Sequence, residues 1–183
     1  MSAKLTAPFA VGDTVYLRPL EQDDVPDLVQ WLNDARVTRT LTLRWPVGMS
    51  QQEAQIDSLY DDPSTLRLGI ALKADNRLIG SVGLHAIDPI HRRATFGIMI
   101  GAIDAWGQGY ATEASRLIIA AGFDRLNLNR IELDVYPFNP AARHIYEKLG
   151  FRVEGVKRQY HYLDGVYHDV ACMGMLRSDW EGK

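Results

Sequence analysis

Hydrophobic and polar positions alternate in some stretches of the chain and recur at helical spacing in others. Residues 14–18 (T-V-Y-L-R) alternate as a half-buried strand does. Apolar residues then recur at helical spacing from Val25 to Leu32, and either Asp23 or Asp24 is placed to cap that helix. The chain is therefore predicted to open with a strand followed by an amphipathic helix.

A second helix is predicted after a loop. The segment 39–49 contains a proline and a glycine that interrupt any periodic pattern. Ser50 and Glu53 have the spacing of a capping box, which predicts a helix from Ser50 through about residue 60.

The rest of the chain alternates strands with two more helices. Asp75 and Asn76 predict a hairpin turn, and the last two strands flank a turn at 163–165. Strands are predicted at 66–73, 78–87, 94–100, 130–136, 151–162 and 166–176, and helices at 109–123 and 141–149. The order β-α-α-β-β-β-α-β-α-β-β predicts a single α+β domain over residues 1–183, with a mixed, mainly antiparallel twisted sheet of six to seven strands and about four helices.

Composition narrows the class of protein. The 183 residues are 46% hydrophobic and 23% charged, which is typical of one globular domain. A net charge of −3 argues against a nucleic-acid partner. The longest apolar run, 117–123, is far shorter than the roughly 20 residues of a membrane span, and the first residues lack a signal-peptide pattern. We therefore expect a cytoplasmic protein without a membrane partner.

The cysteine content and the spacing of possible metal ligands also fit a cytoplasmic protein without a metal site. The single cysteine, Cys172, can form no internal disulfide, which fits a reducing compartment, and its strand position is typical of a small buried residue. No zinc-ligand spacing occurs, so we expect no metal site.

A glycine turn between a predicted strand and a predicted helix is a candidate phosphate site. Residues 106–111 read W-G-Q-G-Y-A, and glycines allow a backbone to approach a ligand closely. The following helix offers unpaired N–H groups and a positive dipole end. An ordinary turn is the alternative. A dinucleotide motif would need glycine where Thr112 stands, and Glu113 is expected to complement the dipole and point away from a ligand.

A second stretch, residues 139–151 (N-P-A-A-R-H-I-Y-E-K-L-G-F), predicts a capped helix. Asn139 is a typical N-cap, followed by proline at the first helical position, and a glycine ends the helix. Ala142 and Tyr146 share one face of it. That face begins where the strand 130–136 ends, which places the Tyr146 phenol near a ligand entering between the two central strands.

Together the two stretches resemble the GCN5-related N-acetyltransferase (GNAT) superfamily, and more closely its RimJ/RimL-type subgroup. The signature Arg/Gln-x-x-Gly-x-Gly/Ala matches residues 106–111, with Trp106 at the Arg/Gln position. The residues 17–20 with Asp23, and 167–169 with Trp180, are also similar to the subgroup. The second signature, N-x-x-A-x-x-x-Y-x-K-x-G-F, matches Asn139, Ala142, Tyr146, Lys148, Gly150 and Phe151.

The resemblance implies the GNAT fold and transfer of an acetyl group from acetyl-CoA to a primary amine by direct attack, without an acyl-enzyme. It implies that two central strands splay, that the pantetheine arm pairs with the first of them, and that an N–H near Ile98 binds the acyl carbonyl. The implied cofactor contacts are Ile98, Met99, Ile100, Trp106, Gly107, Gln108, Gly109, Tyr110, Ala111, Thr112, Asn139, Ala142, Tyr146 and Lys148.

The chemistry needs a neutral amine, an oxyanion donor and a proton for the departing thiolate. A lysine amine, with a pKa of about 10.4, is mostly protonated at pH 7, and an α-amine, with a pKa of about 8, is less so. Tyr146 is the predicted general acid. Members of the family often carry glutamate where Thr95 stands, and threonine cannot act as a base at neutral pH. A lone histidine in a strand is more often structural than catalytic. The candidates for the general base are therefore His85, Asp134, the pair His168 and Asp169, and a water chain.

The acceptor site is expected between the first two helices and the last hairpin. Asp34 suits a cationic amine, whereas Arg36 and Arg44 suit a carboxylate or phosphate. A protein N-terminus, a polyamine, an amino acid and an aminoglycoside-like drug remain open as acceptors. The candidate substrate residues are Trp31, Asn33, Asp34, Trp45 and Tyr160, with Arg36, Arg44, His161 and Tyr162 nearby.

Two other functions compete with acetyl transfer. A non-catalytic CoA-binding or sensing domain is favoured only by Thr95, and Tyr146 argues against it. A nucleic-acid-binding module is favoured only by the basic pairs 92–93 and 157–158. A homodimer through the C-terminal hairpin is compatible with the subgroup.

Overall fold

The computed structural model describes residues 7–41, 43 and 45–180. The strands are β1 (Ala10–Val11), β2 (Val15–Arg18), β3 (Leu66–Leu72), β4 (Leu78–Asp88), β5 (Arg93–Ile100), β6 (Arg130–Val135), β7 (Arg152–Leu163) and β8 (Val166–Leu176). The helices are α1 (Val25–Leu32), α2 (Ala35–Thr38), α3 (Met49–Asp57), α4 (Tyr110–Asp124), α5 (Pro140–Leu149) and α6 (Arg177–Trp180), with short 3-10 turns at Gln22–Asp24 and Ile103–Ala105.

The described strands form one eight-stranded sheet in the order β1-β2-β3-β4-β5-β6-β8-β7. Only β5 and β6 pair in parallel, and every other neighbouring pair is antiparallel. The predicted α+β class is confirmed. The additional strand, β1, and the additional helices, α2 and α6, have two to four residues each, which is too short for a periodic pattern. No helix in the described ranges has the length and apolarity to cross a membrane.

The parallel pair β5–β6 separates along its length. Its register ends at Thr95 opposite Glu132, whereas β4 follows β5 on the other side as far as Gly80 opposite Ile100. The β6-facing edge of β5 beyond Thr95 is therefore unpaired by β6. This is the splay that the family resemblance implied, and it opens a cleft in the middle of the sheet.

One helix-start prediction is wrong, one holds only for the position of the cap, and one is confirmed. Asp24 is the N-cap residue of α1, as predicted, but its carboxylate makes no capping bond, because it accepts two hydrogen bonds of 2.7 Å from Arg18 and one of 2.9 Å from the Glu21 N–H. Helix α3 starts after Gly48, without a side-chain cap, so Ser50 already lies inside it. Asn139 caps α5, because its side chain accepts a hydrogen bond from the Ala142 N–H.

Helix α4 packs its apolar face against the sheet and is tied to β2 by Glu113. Ile118, Ile119 and Phe123 are fully buried. The Glu113 carboxylate accepts hydrogen bonds from the Thr14 N–H and hydroxyl and from the Val15 N–H. Burial opposes ionisation of Glu113, but these hydrogen bonds outweigh it and lower the pKa. The carboxylate therefore faces β2, away from the helix N-terminus.

Replacing Glu113 with alanine should lower the free energy of unfolding by about 1–3 kcal/mol, because two backbone N–H groups lose a charged acceptor. A group whose folded pKa is depressed stabilises the fold above its unfolded pKa, and this stabilisation is lost as pH falls through the folded pKa. Urea unfolding at pH 7 and in mild acid measures both effects. Glu147→Ala is the control, since that residue has only an exposed ion pair with Arg143. Equal losses in the two variants would contradict the role given to Glu113.

Candidate active site

The glycine turn forms a cradle of backbone donors at the start of the fifteen-residue helix α4. Gly107 and Gly109 have φ angles of +74° and +84°, in the left-handed region that favours glycine. The first backbone bond of the turn runs from the Thr112 N–H to the Gly109 carbonyl. Within the described part of the chain, the N–H groups of residues 107–111 have no acceptor. The cradle is thus built to hold an anion at a helix N-terminus.

Trp106 anchors this cradle to the sheet. Its indole N–H donates a 2.8 Å hydrogen bond to the carbonyl of Ile100, the last residue of β5. The side chain at the position where the family signature has Arg or Gln therefore fixes the turn relative to the open strand edge. The backbone donors next to it remain available.

A cleft of about 560 Å³ joins the cradle, the open edge of β5 and the face of α5; we call it the main cleft. It contains most of the cofactor contacts implied by the resemblance. Gln108 and Lys148 are exposed and do not line it. The main cleft is lined by Arg36, Val37, Thr40, Leu41, Ile98, Met99, Ile100, Ala105, Trp106, Gly107, Gly109, Tyr110, Ala111, Thr112, Ser115, Asn139, Ala141, Ala142, His144, Ile145 and Tyr146.

Some of these lining residues were missed by sequence reasoning. His144 and Ile145 follow Ala141 by three and four positions, so helical spacing was a usable signal for them. Arg36 was expected near the acceptor, and it lines the main cleft from the four-residue helix α2. Its guanidinium is paired with Asp34 at 2.6 Å.

Tyr146 is held in the main cleft by aromatic packing. Its ring meets Phe96 edge-on at 5.8 Å and Phe151 at 6.0 Å, and the residue is 8% exposed. Burial raises the pKa of Tyr146 to about 12. The hydroxyl is therefore protonated throughout the physiological pH range and has no hydrogen-bond partner among the described residues. It is a fixed donor for a group entering the cleft.

A second cleft of about 340 Å³, which we call the side pocket, meets the main cleft at β5. Leu41, Ile98 and Met99 line both. A molecule in the side pocket can therefore reach the same strand edge as one in the main cleft. The side pocket is lined by Leu32, Leu41, Leu43, Arg67, Ser81, Val82, Gly83, His85, Gly97, Ile98 and Met99.

His85 lies on the floor of the side pocket. Gly83 and Gly97 are cross-strand partners, and a Cβ on either would lie 3.2 or 3.5 Å from the His85 Nε2. The imidazole thus covers a patch of sheet that has no side chains. Burial first, and then the positive charge of Arg67, lowers the pKa of His85 below 6.5. The neutral imidazole at pH 7 is able to accept a proton.

The other base candidates lie elsewhere. Asp134 lines neither cleft, and its carboxylate is 2.6 Å from the Lys157 ammonium. Asp169 accepts a hydrogen bond from the Gln159 N–H, and His168 packs edge-on against a phenylalanine ring at 5.2 Å. Of the base candidates in the described chain, His85 alone is brought to a cleft. Asp134 is paired with Lys157 instead, which does not favour it as the base.

Three of the predicted acceptor residues have structural roles. Trp31 is 8% exposed and packs onto Gly101, where a Cβ would overlap its ring. Asn33 bonds the backbone of Val47 through both ends of its amide. Asp34 caps α2 and binds Arg36. None of the three lines the main cleft or the side pocket, although Trp31 and Asp34 line a third cleft of about 370 Å³ together with Arg36.

The remaining acceptor candidates lie on the surface or outside the described residues. Trp45 is 81% exposed and Tyr160 is 61% exposed, and neither lines a cleft. The His161 ring packs 4.2 Å from that of Tyr136. Arg44 lies outside the described residues.

Neither Cys172 nor a metal-ligand cluster of the described residues contributes to the site. Burial raises the pKa of the Cys172 thiol, which keeps it protonated at neutral pH, and it lines neither cleft. The described residues contain no cluster of three or more His, Cys, Asp or Glu side chains arranged to bind a metal ion.

Comparison with known proteins identifies the family. Residues 14–152 match the acetyltransferase (GNAT) domain. The spermidine N(1)-acetyltransferase of Escherichia coli is 36% identical over 171 residues, which cover 91% of this chain and 88% of that protein. This chain belongs to the GNAT acetyltransferase family. The uncharacterized N-acetyltransferase p20 of Bacillus licheniformis is 32% identical over 169 residues, which cover 91% of this chain and 94% of that protein.

A solved structure supports the same conclusion. The crystal structure of spermidine N-acetyltransferase from Vibrio cholerae, in complex with CoA and spermine, has a TM-score of 0.84 and 30% identity, covering 91% of this chain and 98% of that one. The chain is an acetyl-CoA-dependent N-acetyltransferase with an amine acceptor. The glycine cradle and the open edge of β5 suit the pyrophosphate and pantetheine of this cosubstrate.

Replacing Gly109 with alanine should weaken acetyl-CoA binding by about tenfold. A left-handed φ of +84° costs an L-residue roughly 1–2 kcal/mol, so the turn relaxes and its N–H groups rotate away from the phosphates. Calorimetric titration with acetyl-CoA measures the change. Gly48→Ala is the matched control, because its φ is −90° and a Cβ there meets nothing within 4 Å. Equal affinity in both variants would show that the cradle does not bind the cosubstrate.

Proposed function

We propose that this acetyltransferase binds acetyl-CoA in the main cleft and the acceptor amine in the side pocket, with Tyr146 as proton donor and His85 as proton acceptor. One observation carries the proposal. The two clefts share Ile98 and Met99 on the open edge of β5, with a buried phenol lining one cleft and a neutral imidazole lining the other. That is the arrangement required by attack of an amine on a thioester.

In the proposed reaction the amine attacks the thioester and the thiolate of CoA then departs. The amine lone pair forms a C–N bond with the thioester carbonyl carbon, and the resulting oxyanion accepts a hydrogen bond from the N–H near Ile98. The C–S bond then breaks, and the thiolate takes a proton from the Tyr146 hydroxyl. The nitrogen loses its extra proton to His85. Cys172 lies outside both clefts, which supports direct transfer without an acyl-enzyme.

We place the chain in the RimJ/RimL-type subgroup. Trp106 in the first signature supports this placement. Its indole N–H donates a hydrogen bond to the Ile100 carbonyl, so Trp106 fixes the glycine turn to the end of β5. The resemblance of residues 17–20 with Asp23 to the subgroup supports it as well. Within this segment, Arg18 forms a bidentate pair with Asp24 that ties β2 to the first helices.

An acceptor screen tests the proposed function. Acetyl-CoA is offered with amino acids, amino-acid amides, polyamines, aminoglycosides and short peptides with free N-termini, and products are read by mass spectrometry alongside release of the free thiol. Spermidine belongs in the panel because the Escherichia coli and Vibrio cholerae relatives are named for it. We expect acetylation of at least one acceptor. Tight acetyl-CoA binding without turnover across the panel would support a CoA-sensing domain instead.

A further inference from the structure

Arg67, on β3, brings a positive charge into the side pocket without a counter-ion among the residues that the structure describes. Its guanidinium makes two long hydrogen bonds of 3.4 Å, from Nε and Nη2 to the Ser81 hydroxyl. It forms no ion pair with any described residue. Burial lowers the pKa of Arg67, with the nearby Tyr60 opposing the shift only in part. An arginine held out of water without a carboxylate partner destabilises the fold unless a ligand compensates it.

The other half-buried arginines of the described ranges are paired. Arg18, with its side chain 11% exposed, binds both carboxylate oxygens of Asp24. Arg130, 27% exposed, is paired with Glu132 and Glu154. Arg67 differs from these arginines, because it lines the side pocket and has no carboxylate partner among the described residues. The missing partner is therefore a property of the pocket rather than of the protein's arginines in general.

The described walls of the side pocket supply no negative charge. Helix α1 and the residues after α2 contribute leucines, β4 contributes Ser81, Val82, Gly83 and His85, and β5 contributes a glycine and two apolar residues. No carboxylate lines the pocket within the described chain, and His85 is neutral at pH 7. Among the described residues that line the side pocket, Arg67 is the one that carries a charge at pH 7, and this charge is positive.

We propose that Arg67 binds an anionic oxygen of the acceptor, so that the enzyme acetylates a primary amine bearing a carboxylate or a phosphate. This inference rests on the proposed function. A guanidinium binds either anion through paired N–H donors. The adjacent positive charge also disfavours the protonated form of the acceptor amine, which provides the neutral nucleophile. A polyamine would instead place further positive charges beside Arg67.

Kinetics with matched acceptor pairs test this specificity. Each of the twenty α-amino acids is compared with its own carboxamide, O-phosphoethanolamine with ethanolamine, and all of them with spermidine. In the wild type, kcat/KM should favour the anionic member of at least one class of pair by about tenfold or more, as expected for a charge-assisted contact. The class that shows the preference distinguishes a carboxylate from a phosphate.

Variants assign the preference to Arg67. Arg67→Met should abolish it, and Arg67→Lys should keep part of it, since the charge remains and the fork is lost. Arg116→Met, which removes a charge from an exposed position on α4, should leave it unchanged. The Tm of Arg67→Met should equal or exceed that of the wild type, because an unpaired guanidinium is removed.

The outcomes separate this inference from the proposed function. Acetylation of spermidine or of the amides in preference to the anionic acceptors would overturn the inference and leave acetyl transfer intact. A lower Tm in Arg67→Met with an unchanged acceptor preference would also overturn it, by giving Arg67 a purely structural role. Binding of acetyl-CoA without turnover of any acceptor would refute the proposed function, and this inference with it.

Discussion

Replacing Tyr146 with phenylalanine should lower kcat by about 10²–10⁴-fold, the usual contribution of a positioned proton donor. The substitution removes one hydroxyl and leaves the ring, whose contacts with Phe96 and Phe151 hold it in place. Acetyl-CoA affinity should therefore change little. Steady-state kinetics and calorimetric titration of acetyl-CoA, performed on the same preparation, separate the two quantities.

The raised pKa of Tyr146 also predicts how the rate depends on pH. Because burial places this pKa at about 12, the phenol stays protonated up to pH 9, and its ionisation should add no basic limb to the rate profile over that range. Tyr167→Phe makes the same chemical change at a side chain that is 63% exposed, and it should retain full kcat. An unchanged kcat in Tyr146→Phe would remove this residue from the mechanism.

Replacing His85 with glutamine should lower kcat/KM by about 10²-fold at pH 7, because the imidazole that accepts the amine proton is replaced by an amide that cannot. The pKa of His85 is lowered, so the base is fully available at pH 7 and is lost as pH falls through the lowered value, below 6.5. The wild-type profile of kcat/KM against pH should therefore have an acid limb below about 6.5, and this limb should be absent from the variant.

Two comparisons make the His85 result specific. His91→Gln alters an exposed histidine that is paired with Asp88 in a turn, and it should keep the wild-type profile. In Arg67→Met the acid limb should move to higher pH, because the charge of Arg67 contributes to the lowered pKa of His85. If His85→Gln retained the wild-type rate and acid limb, a water chain rather than this imidazole would carry the proton.

Much of the main cleft was predictable because its signals are local. Glycines at left-handed positions followed by a helix predict a backbone cradle within six residues, 106–111. Asn139 predicts its own helix start, since its side chain reaches an N–H only three residues away. The spacing of Ala142 and Tyr146 predicts a shared helical face, and both line the main cleft. Each inference depends on backbone geometry over one or two turns of chain.

The sequence was a weaker guide to side chains whose partners are distant or ambiguous. Asp24 has the residue type of a helix cap, but Arg18 and the Glu21 N–H bind its carboxylate first. Trp31 looks like an acceptor contact until Gly101 is placed beneath it. Asp134 looks like a base until β7 brings Lys157 against it. In each case a competing contact, formed only when the elements pack, decides the role.

By itself the sequence determined the order of the longer strands and helices, the glycine cradle, the capped helix that carries Tyr146, and the membership of a family that uses acetyl-CoA. The tertiary structure alone decided that the main cleft and the side pocket meet at Ile98, and that His85 and Arg67 face the side pocket together. The physical reason is the sequence separation over which the two kinds of interaction act. Backbone conformation is dictated by near neighbours, whereas the presence or absence of a counter-ion beside Arg67 depends on every element packed around it.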